Sequence, residues 1–73
     1  FVASAALDPA RAEARANLGH VLVESGRFAE ALREYDAALA LRADLVPALR
    51  NSAIILAQQG RFAEARARFA RVA

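Results

Sequence analysis

The hexapeptide Gly-Arg-Phe-Ala-Glu-Ala occurs twice in this chain, at residues 26–31 and again at residues 60–65. The copies are 34 residues apart, and the same offset aligns other residues: Phe1 with Tyr35 and Phe69, Leu7 with Leu41, Ala14 with Ala48, Asn17 with Asn51, and Leu22 with Leu56. A fixed period of about 20 to 50 residues is typical of a solenoid built from stacked repeats. The period therefore favours a repeat architecture, and a generic bundle of two helical hairpins is the alternative.

The apolar residues of each unit recur at helical spacing, three or four residues apart, which places them on one face of a helix. After the glycines they are Phe28, Ala31, Leu32, Tyr35, Ala38 and Leu39 in the first unit, and Phe62, Ala65, Phe69 and Val72 in the second. Before the glycines they are Ala14, Leu18, Val21 and Leu22, and then Leu49, Ala53 and Leu56. We expect these side chains, including the Phe and last Ala of the hexapeptide, to pack the helices together.

Glycine and proline mark the predicted helix ends. Gly26 and Gly60 separate the paired stretches, as glycine does just past a helix end, where the backbone turns left-handed. Asp8-Pro9 suits a helix start, and so does Asp44 followed by Pro47. These signals predict the tail of one helix at residues 1–6 and then helices near 9–25, 28–41, 46–59 and 62–72.

The composition agrees with closely packed helices and limits the chemistry. Half of the apolar residues are alanine, the best helix former. A chain of 73 residues has too little interior for an enclosed active site. The absence of Cys excludes a disulfide framework and a thiolate zinc site, and no apolar run approaches the roughly 18 residues of a membrane span.

The charge gives little support to nucleic-acid binding. Every cation is Arg and the net charge is only +2, so the isoelectric point near 10.4 reflects the high pKa of arginine. We expect no nucleic-acid and no membrane partner. The Arg- and Ala-rich composition without Lys suggests a bacterium with GC-rich DNA and a cytoplasmic location, with the periplasm left open.

A helical hairpin of 34 residues resembles the tetratricopeptide repeat, whose pattern is W-x2-L-G-x2-Y, then A-x3-F, then P. The residues that carry the resemblance are Leu18, Gly19, Leu22, Ala31 and Tyr35, then Leu49, Leu56, Ala65 and Phe69, and the segment Leu7–Pro9, which matches the close of a preceding repeat. The departures are Arg15 for Trp, Ala43 for Pro and Ser52-Ala53 for Leu-Gly. The resemblance implies an all-α solenoid of antiparallel hairpins, with the end of one repeat at 1–11, a full repeat at 12–45 and a second, incomplete repeat at 46–73.

The resemblance also implies a function and a surface. Arrays of this family hold a peptide or a partner helix in a concave groove lined by the first helix of each repeat, without catalysis or a cofactor. The residues at the matching positions are Asn17, His20, Glu24, Arg50, Asn51, Ile54 and Gln58. We expect them to line a peptide-binding groove, and we expect no catalytic, cofactor-binding or metal-binding residue.

The repeated asparagines, Asn17 and Asn51, allow two interpretations. An amide both donates and accepts, so it can hold a peptide backbone. The pair is similar to the asparagine ladder of repeat arrays attached to O-linked N-acetylglucosamine transferases and their SPINDLY-type relatives. This similarity implies an alternative function, the recruitment of substrates for a larger glycosyltransferase. Equally, duplicated repeats share residues by descent, and the amides can bond between neighbouring helices.

The remaining charged residues have simpler explanations. Arg50 beside Asn51 is similar to the carboxylate clamp of chaperone-cofactor repeats, but further basic residues are missing. His20 has no second ligand at a spacing that suits a metal. The arginines of the last helix suit a solvated surface or pairing with the acidic helix before them; they are Arg61, Arg66, Arg68 and Arg71, against Glu30, Glu34 and Asp36.

The ends of the sequence leave apolar faces uncovered. Terminal repeats normally need a polar capping helix, whereas Phe62, Phe69 and Val72 lie in the last helix and Phe1 begins the chain within a hairpin. We expect either that the fragment self-associates through these edges or that the parent chain extends past both.

Overall fold

The chain has the predicted all-α fold. The computed structural model describes residues 9–72, which form four α-helices: α1 (Pro9–Glu24), α2 (Phe28–Leu41), α3 (Val46–Gln58) and α4 (Phe62–Val72). Each helix lies within one residue of its predicted bounds. Pro9 stands at the first position of α1, where a missing N–H costs nothing. The helix tail predicted at residues 1–6 and the predicted Asp8 cap lie outside the described residues.

The two glycines of the repeated hexapeptide end α1 and α3 in the same way. Gly26 and Gly60 have φ of +79° and +81°, in the left-handed region that favours glycine. The Gly26 N–H donates to the Val23 carbonyl at 3.0 Å, and the Arg27 N–H donates to the Leu22 carbonyl at 2.8 Å. This pair of bonds defines a Schellman motif, and the same pair forms around Gly60. The repeated glycine is therefore a helix terminator, as predicted.

The start of α3 differs from its prediction in one detail. The residue that precedes the first helical turn is Leu45, and no side chain caps the helix there. Asp44 lies one residue too early to cap, and its Oδ1 instead accepts a 3.1 Å hydrogen bond from Nε of Arg42. Pro47 lies in the first turn, as predicted. Proline and the packing of Leu45, which is buried, thus mark this helix start without a polar cap.

The four helices make two antiparallel hairpins that pack side by side. α1 packs along α2, and α3 packs along α4, while contact between α2 and α3 joins the hairpins. Alanine dominates the buried core, and small side chains allow helix axes to approach closely. The largest fully buried side chains are Tyr35, Leu49, Ile55 and Leu56. The predicted repeat architecture is confirmed.

Gly19 and Tyr35 show why a small residue stands between α1 and α2. A Cβ atom built on Gly19 would lie 3.0 Å from Cε1 and Cζ of the Tyr35 ring, closer than carbon atoms approach without repulsion. Tyr35 has no exposed surface. The equivalent residues of the second hairpin are Ala53 and Phe69, and Phe69 keeps 42% of its surface exposed. The glycine is therefore required by the buried ring of the first hairpin.

Part of the face of α1 that was predicted to pack is exposed, and Ala14, Leu18 and Val21 lie on that part. Leu18 and Val21 keep 45% and 54% of their surface exposed. Their equivalents in α3, Ser52 and Ile55, are buried, because α3 has a preceding hairpin to pack against and no helix within residues 9–72 precedes α1. Leu22, which was also predicted to pack, is half-buried against the core, and α1 packs further through Ala12, Ala16, Gly19 and Val23.

The hexapeptide contributes less to the core than predicted. Its last alanine, Ala31 or Ala65, is buried in both copies. Its phenylalanine is not, since Phe28 and Phe62 are both exposed. Each phenylalanine is the first residue of its helix, so it lies at the edge of the hairpin rather than between the helices.

Some arginines pair within the repeat array, which was one of the two predicted roles. Nη1 of Arg68 on α4 lies 2.6 Å from Oδ1 of Asp36 on α2. At the start of α4, Nη2 of Arg61, the residue before the helix, lies 2.8 Å from Oε2 of Glu64. The Arg61 guanidinium lowers the pKa of the Glu64 carboxyl by a direct hydrogen bond. The acidic and basic helices therefore neutralise one another in part.

Candidate peptide-binding groove

A groove runs between α1 and α3, the first helices of the two hairpins, and it contains two cavities. The first cavity has a volume of about 160 Å³ and has walls from three helices. It is lined by His20 and Val23 of α1, Phe28 and Tyr35 of α2, and Asn51, Ile54, Ile55 and Gln58 of α3. The second cavity, of about 220 Å³, is lined by Glu13, Ala16 and Asn17 of α1 and by Leu45 and Pro47 at the start of α3.

The predicted groove residues divide between these cavities. His20, Asn51, Ile54 and Gln58 line the first cavity, and Asn17 lines the second. The two repeated asparagines therefore lie on the same groove but not in the same cavity. Glu24 and Arg50 are exposed and line neither of them.

The pattern missed four residues of the first cavity, which are Val23, Phe28, Tyr35 and Ile55. Phe28 and Tyr35 belong to α2 and were predicted to pack the hairpin, whereas groove positions were sought on the first helices alone. The helical spacing of Val23 and Ile55 relative to the predicted residues could have found them, because both stand one turn from a predicted groove residue.

The side chain of Tyr35 lines the first cavity, and its hydroxyl has no hydrogen-bond partner among residues 9–72. Tyr35 is fully buried, and its hydroxyl makes no hydrogen bond of standard geometry within the described part of the chain. Burial raises the pKa of this hydroxyl, and the side chain of Asn51 beside it partly opposes the rise. The hydroxyl is therefore protonated at neutral pH, with Asn51 as its polar neighbour.

At the rim of the first cavity, the side chains of His20 and Glu24 are in contact. Nε2 of His20 lies 3.2 Å from Oε2 of Glu24, one helical turn later. Both side chains are well exposed, so the pair contributes little stability. Within residues 9–72, no three His, Cys, Asp or Glu side chains lie together in a way that could hold a metal ion.

Among the four described helices, none combines the length and the apolar character that crossing a bilayer requires. The groove presents amides, an imidazole, the carboxylate of Glu13 and apolar walls. Such a surface can donate and accept hydrogen bonds and can bury apolar side chains, which are the requirements of recognition.

Two equivalent hairpins with a groove along their first helices define a helical-repeat protein of the solenoid class. The profile of the tetratricopeptide repeat matches this chain at residues 1–46 and again at residues 16–73. The chain therefore belongs to the tetratricopeptide repeat family. Members of this family generally act as protein–protein interaction modules and are typically not catalytic. No curated protein and no solved structure matches the chain.

Proposed function

We propose that this chain binds an extended peptide or a partner helix in the groove between α1 and α3. The observation that supports the proposal is the placement of five predicted residues in the two cavities of one groove: Asn17, His20, Asn51, Ile54 and Gln58. An amide stands in each cavity, one from each repeat. Amides at equivalent positions can hold successive peptide groups of a bound segment without selecting its sequence.

Removal of both amides tests this function. Short random peptides displayed on phage provide the probe, and selected peptides are measured against the double variant Asn17→Ala, Asn51→Ala. We expect binding at least roughly fivefold weaker, since two hydrogen bonds of about 0.5–1.5 kcal/mol each are lost, with the helical circular dichroism unchanged. Gln59→Ala is the matched control, because Gln59 is an exposed amide beyond the groove.

Two results would count against the proposal. Unchanged affinity in the double variant would exclude the groove as the binding surface. Loss of helicity in the double variant would assign the asparagines to bonding between the helices instead.

A substrate-recruiting role for a larger glycosyltransferase is the alternative. It is favoured by the recurrence of asparagine at equivalent positions of one groove. The gene sequence around these 73 residues tests it directly. An encoded nucleotide-sugar-binding domain would support the alternative, and a parent protein without one would exclude it.

We also propose a cytoplasmic bacterial protein without a nucleic-acid partner. Arg61, just before α4, and Arg68 of α4 already pair with Glu64 and Asp36, so less positive charge remains for phosphates. Cell fractionation tests the location. Salt-dependent association with RNA would contradict the expected partner class, because phosphate contacts weaken steeply with salt.

Self-association is a further candidate, and the repeat itself supports it. The outer face of α1, which carries Leu18 and Val21, is equivalent to the face of α3 that is buried between the hairpins. The outer face of α4, which carries Phe69, is equivalent to the face of α2 that carries the buried Tyr35 and joins the hairpins, and the exposed Phe62 lies at the edge of that outer face. One copy can therefore place its α1 face on the α4 face of another copy. Such a contact joins two different surfaces, so it continues from copy to copy.

A further inference from the structure

We propose that the second cavity, at the start of α3, takes a basic side chain of the bound segment, whose charged group lies against the carboxylate of Glu13. Glu13 is then the residue that determines specificity for arginine or lysine at this place. The inference rests on the proposed peptide-binding function and names the chemistry of the partner that the groove selects.

Glu13 is the carboxylate of the described helices that has no cationic neighbour. Every other carboxylate within residues 9–72 lies beside an arginine or, in the case of Glu24, beside His20. Among these described residues, no hydrogen bond or ion pair joins the Glu13 side chain to another side chain. The negative charge of Glu13 is therefore available to a ligand, and it lines a cavity.

The α3 side of this cavity offers no hydrogen-bond donor that would favour an anion instead. The lining residues there are Leu45 and Pro47. The Leu45 N–H already donates to the Arg42 carbonyl at 3.3 Å, and proline has no N–H. These two residues thus lack the free N–H groups by which a helix start commonly holds an anion. An acidic occupant would also meet the like charge of Glu13.

The walls of the cavity suit the aliphatic stem of a basic side chain. Ala16, Leu45 and Pro47 are apolar, and the volume of about 220 Å³ exceeds the 160 Å³ of the first cavity. Lysine and arginine bury their methylene stems along apolar surface and keep the charged group in water. Glu13 is exposed, so that group can reach the carboxylate without the desolvation cost of a buried ion pair.

The carboxylate belongs to this cavity and is not a property of the repeated unit. Pro47 stands at the position of the second repeat that corresponds to Glu13, and the two residues line the same cavity from opposite helices. The first cavity has no carboxylate among its lining residues. A basic residue therefore has one preferred place along the groove, which sets the register of the bound segment.

Nuclear magnetic resonance titration with two small analogues tests the cavity. N-acetyl-arginine methylamide is the probe, and N-acetyl-citrulline methylamide, of nearly the same shape but uncharged, is the matched control. We expect the arginine analogue to shift the Asn17 side-chain amide and the Leu45 methyl groups. The citrulline analogue should bind roughly twofold to fivefold more weakly, as for loss of an exposed ion pair, and high salt should remove that difference. Equal affinity of the two analogues at low salt, or no shift at these residues, would overturn the inference.

The variant Glu13→Gln tests the residue, because it keeps the shape of the side chain and removes its charge. Its affinity for the arginine analogue should fall to that for the citrulline analogue, with the helical circular dichroism unchanged. Glu30→Gln is the control, since Glu30 is an exposed carboxylate of α2 that lines neither cavity, and it should bind the arginine analogue as the parent chain does. Full affinity of Glu13→Gln for that analogue would overturn the inference.

The phage-selected peptides separate this inference from the function on which it rests. Enrichment of arginine or lysine at one position, lost when selection is repeated on Glu13→Gln, would support the inference. Peptides that depend on Asn17 and Asn51 but carry no preferred basic residue, and that bind Glu13→Gln equally well, would overturn the inference and leave groove binding intact. Selection of no peptide that depends on the two asparagines or on Glu13 would overturn both.

Discussion

Nη1 of Arg68 donates a 2.9 Å hydrogen bond to Oγ of Ser52, a serine with no exposed surface. The same nitrogen lies 2.6 Å from Oδ1 of Asp36, and the serine hydroxyl donates in turn to the Leu49 carbonyl at 3.1 Å. One guanidinium therefore links α2, α3 and α4 across the junction between the hairpins. Serine stands here in place of the leucine of the family pattern, so a polar contact replaces apolar packing at this position.

The contact between Arg68 and Ser52 should appear as an energetic coupling. We expect Ser52→Ala and Arg68→Met each to lower the free energy of unfolding by about 1 kcal/mol. The double variant should lose less than the sum, by about 0.5–1.5 kcal/mol. Urea unfolding followed by circular dichroism measures all three, with Arg66→Met, an exposed arginine of the same helix, as control. Strictly additive losses would mean that the contact contributes nothing.

Opposite substitutions at equivalent positions should both destabilise the fold. Gly19→Ala would place a Cβ 3.0 Å from the Tyr35 ring, and strain of about 1–3 kcal/mol from overpacking should exceed the gain of about 1 kcal/mol in helix propensity. Ala53→Gly should cost about 1 kcal/mol through helix propensity, and loss of the buried Ala53 methyl group adds to that cost. Thermal unfolding of the two variants measures both effects. A Gly19→Ala variant more stable than the parent would show that the ring moves aside at little cost.

Tyr35 should make the fold sensitive to alkaline pH. It is the one tyrosine of a chain without Trp, so tyrosinate absorbance reports this residue alone. Burial raises its pKa in the folded state above the ordinary value of about 10. The folded state then holds the proton more tightly than the unfolded chain, so stability is complete below about pH 10 and falls as pH rises toward the raised value, by at most about 1.4 kcal/mol per pH unit.

The expected signature of that titration is a rise in tyrosinate absorbance that coincides with loss of helical signal. Tyr35→Phe should keep its helicity at a pH where the parent chain unfolds. Ionisation near pH 10 with the helices intact would show that the hydroxyl is open to solvent.

Two variants with opposite defects should test head-to-tail association. Val21→Glu disables the outer face of α1, and Phe62→Glu disables the outer face of α4; both residues are exposed. Each variant alone should be monomeric by light scattering, while an equal mixture should form a dimer and grow no further. The reason is that each retains the one face that the other has lost. A mixture that stays monomeric while the parent chain associates would exclude this geometry, and Gln59→Glu is the control for added charge.

Local and tertiary effects explain which features could be predicted from sequence. The helix bounds could be predicted from the sequence, because Gly26 and Gly60 end their helices through backbone conformation and hydrogen bonds to the preceding turn. The different burial of Tyr35 and Phe69 could not be predicted from the sequence. They occupy equivalent positions in the two repeats and differ in which helices pack around them. The wall that Tyr35 contributes to the first cavity was missed for a related reason, because it reaches the groove from α2.

The glycine turns make the chain extensible in register. Every bond that closes the turns at Gly26 and Gly60 joins neighbouring residues, and Arg27 and Arg61 follow them identically. A tandem copy of residues 27–60 inserted after Gly60 would therefore be joined at both ends by Gly-Arg turns of the kind that the chain already forms. It would contribute one more tyrosine and one more asparagine to the groove. In-frame duplication would thus lengthen the groove by one whole repeat at a time.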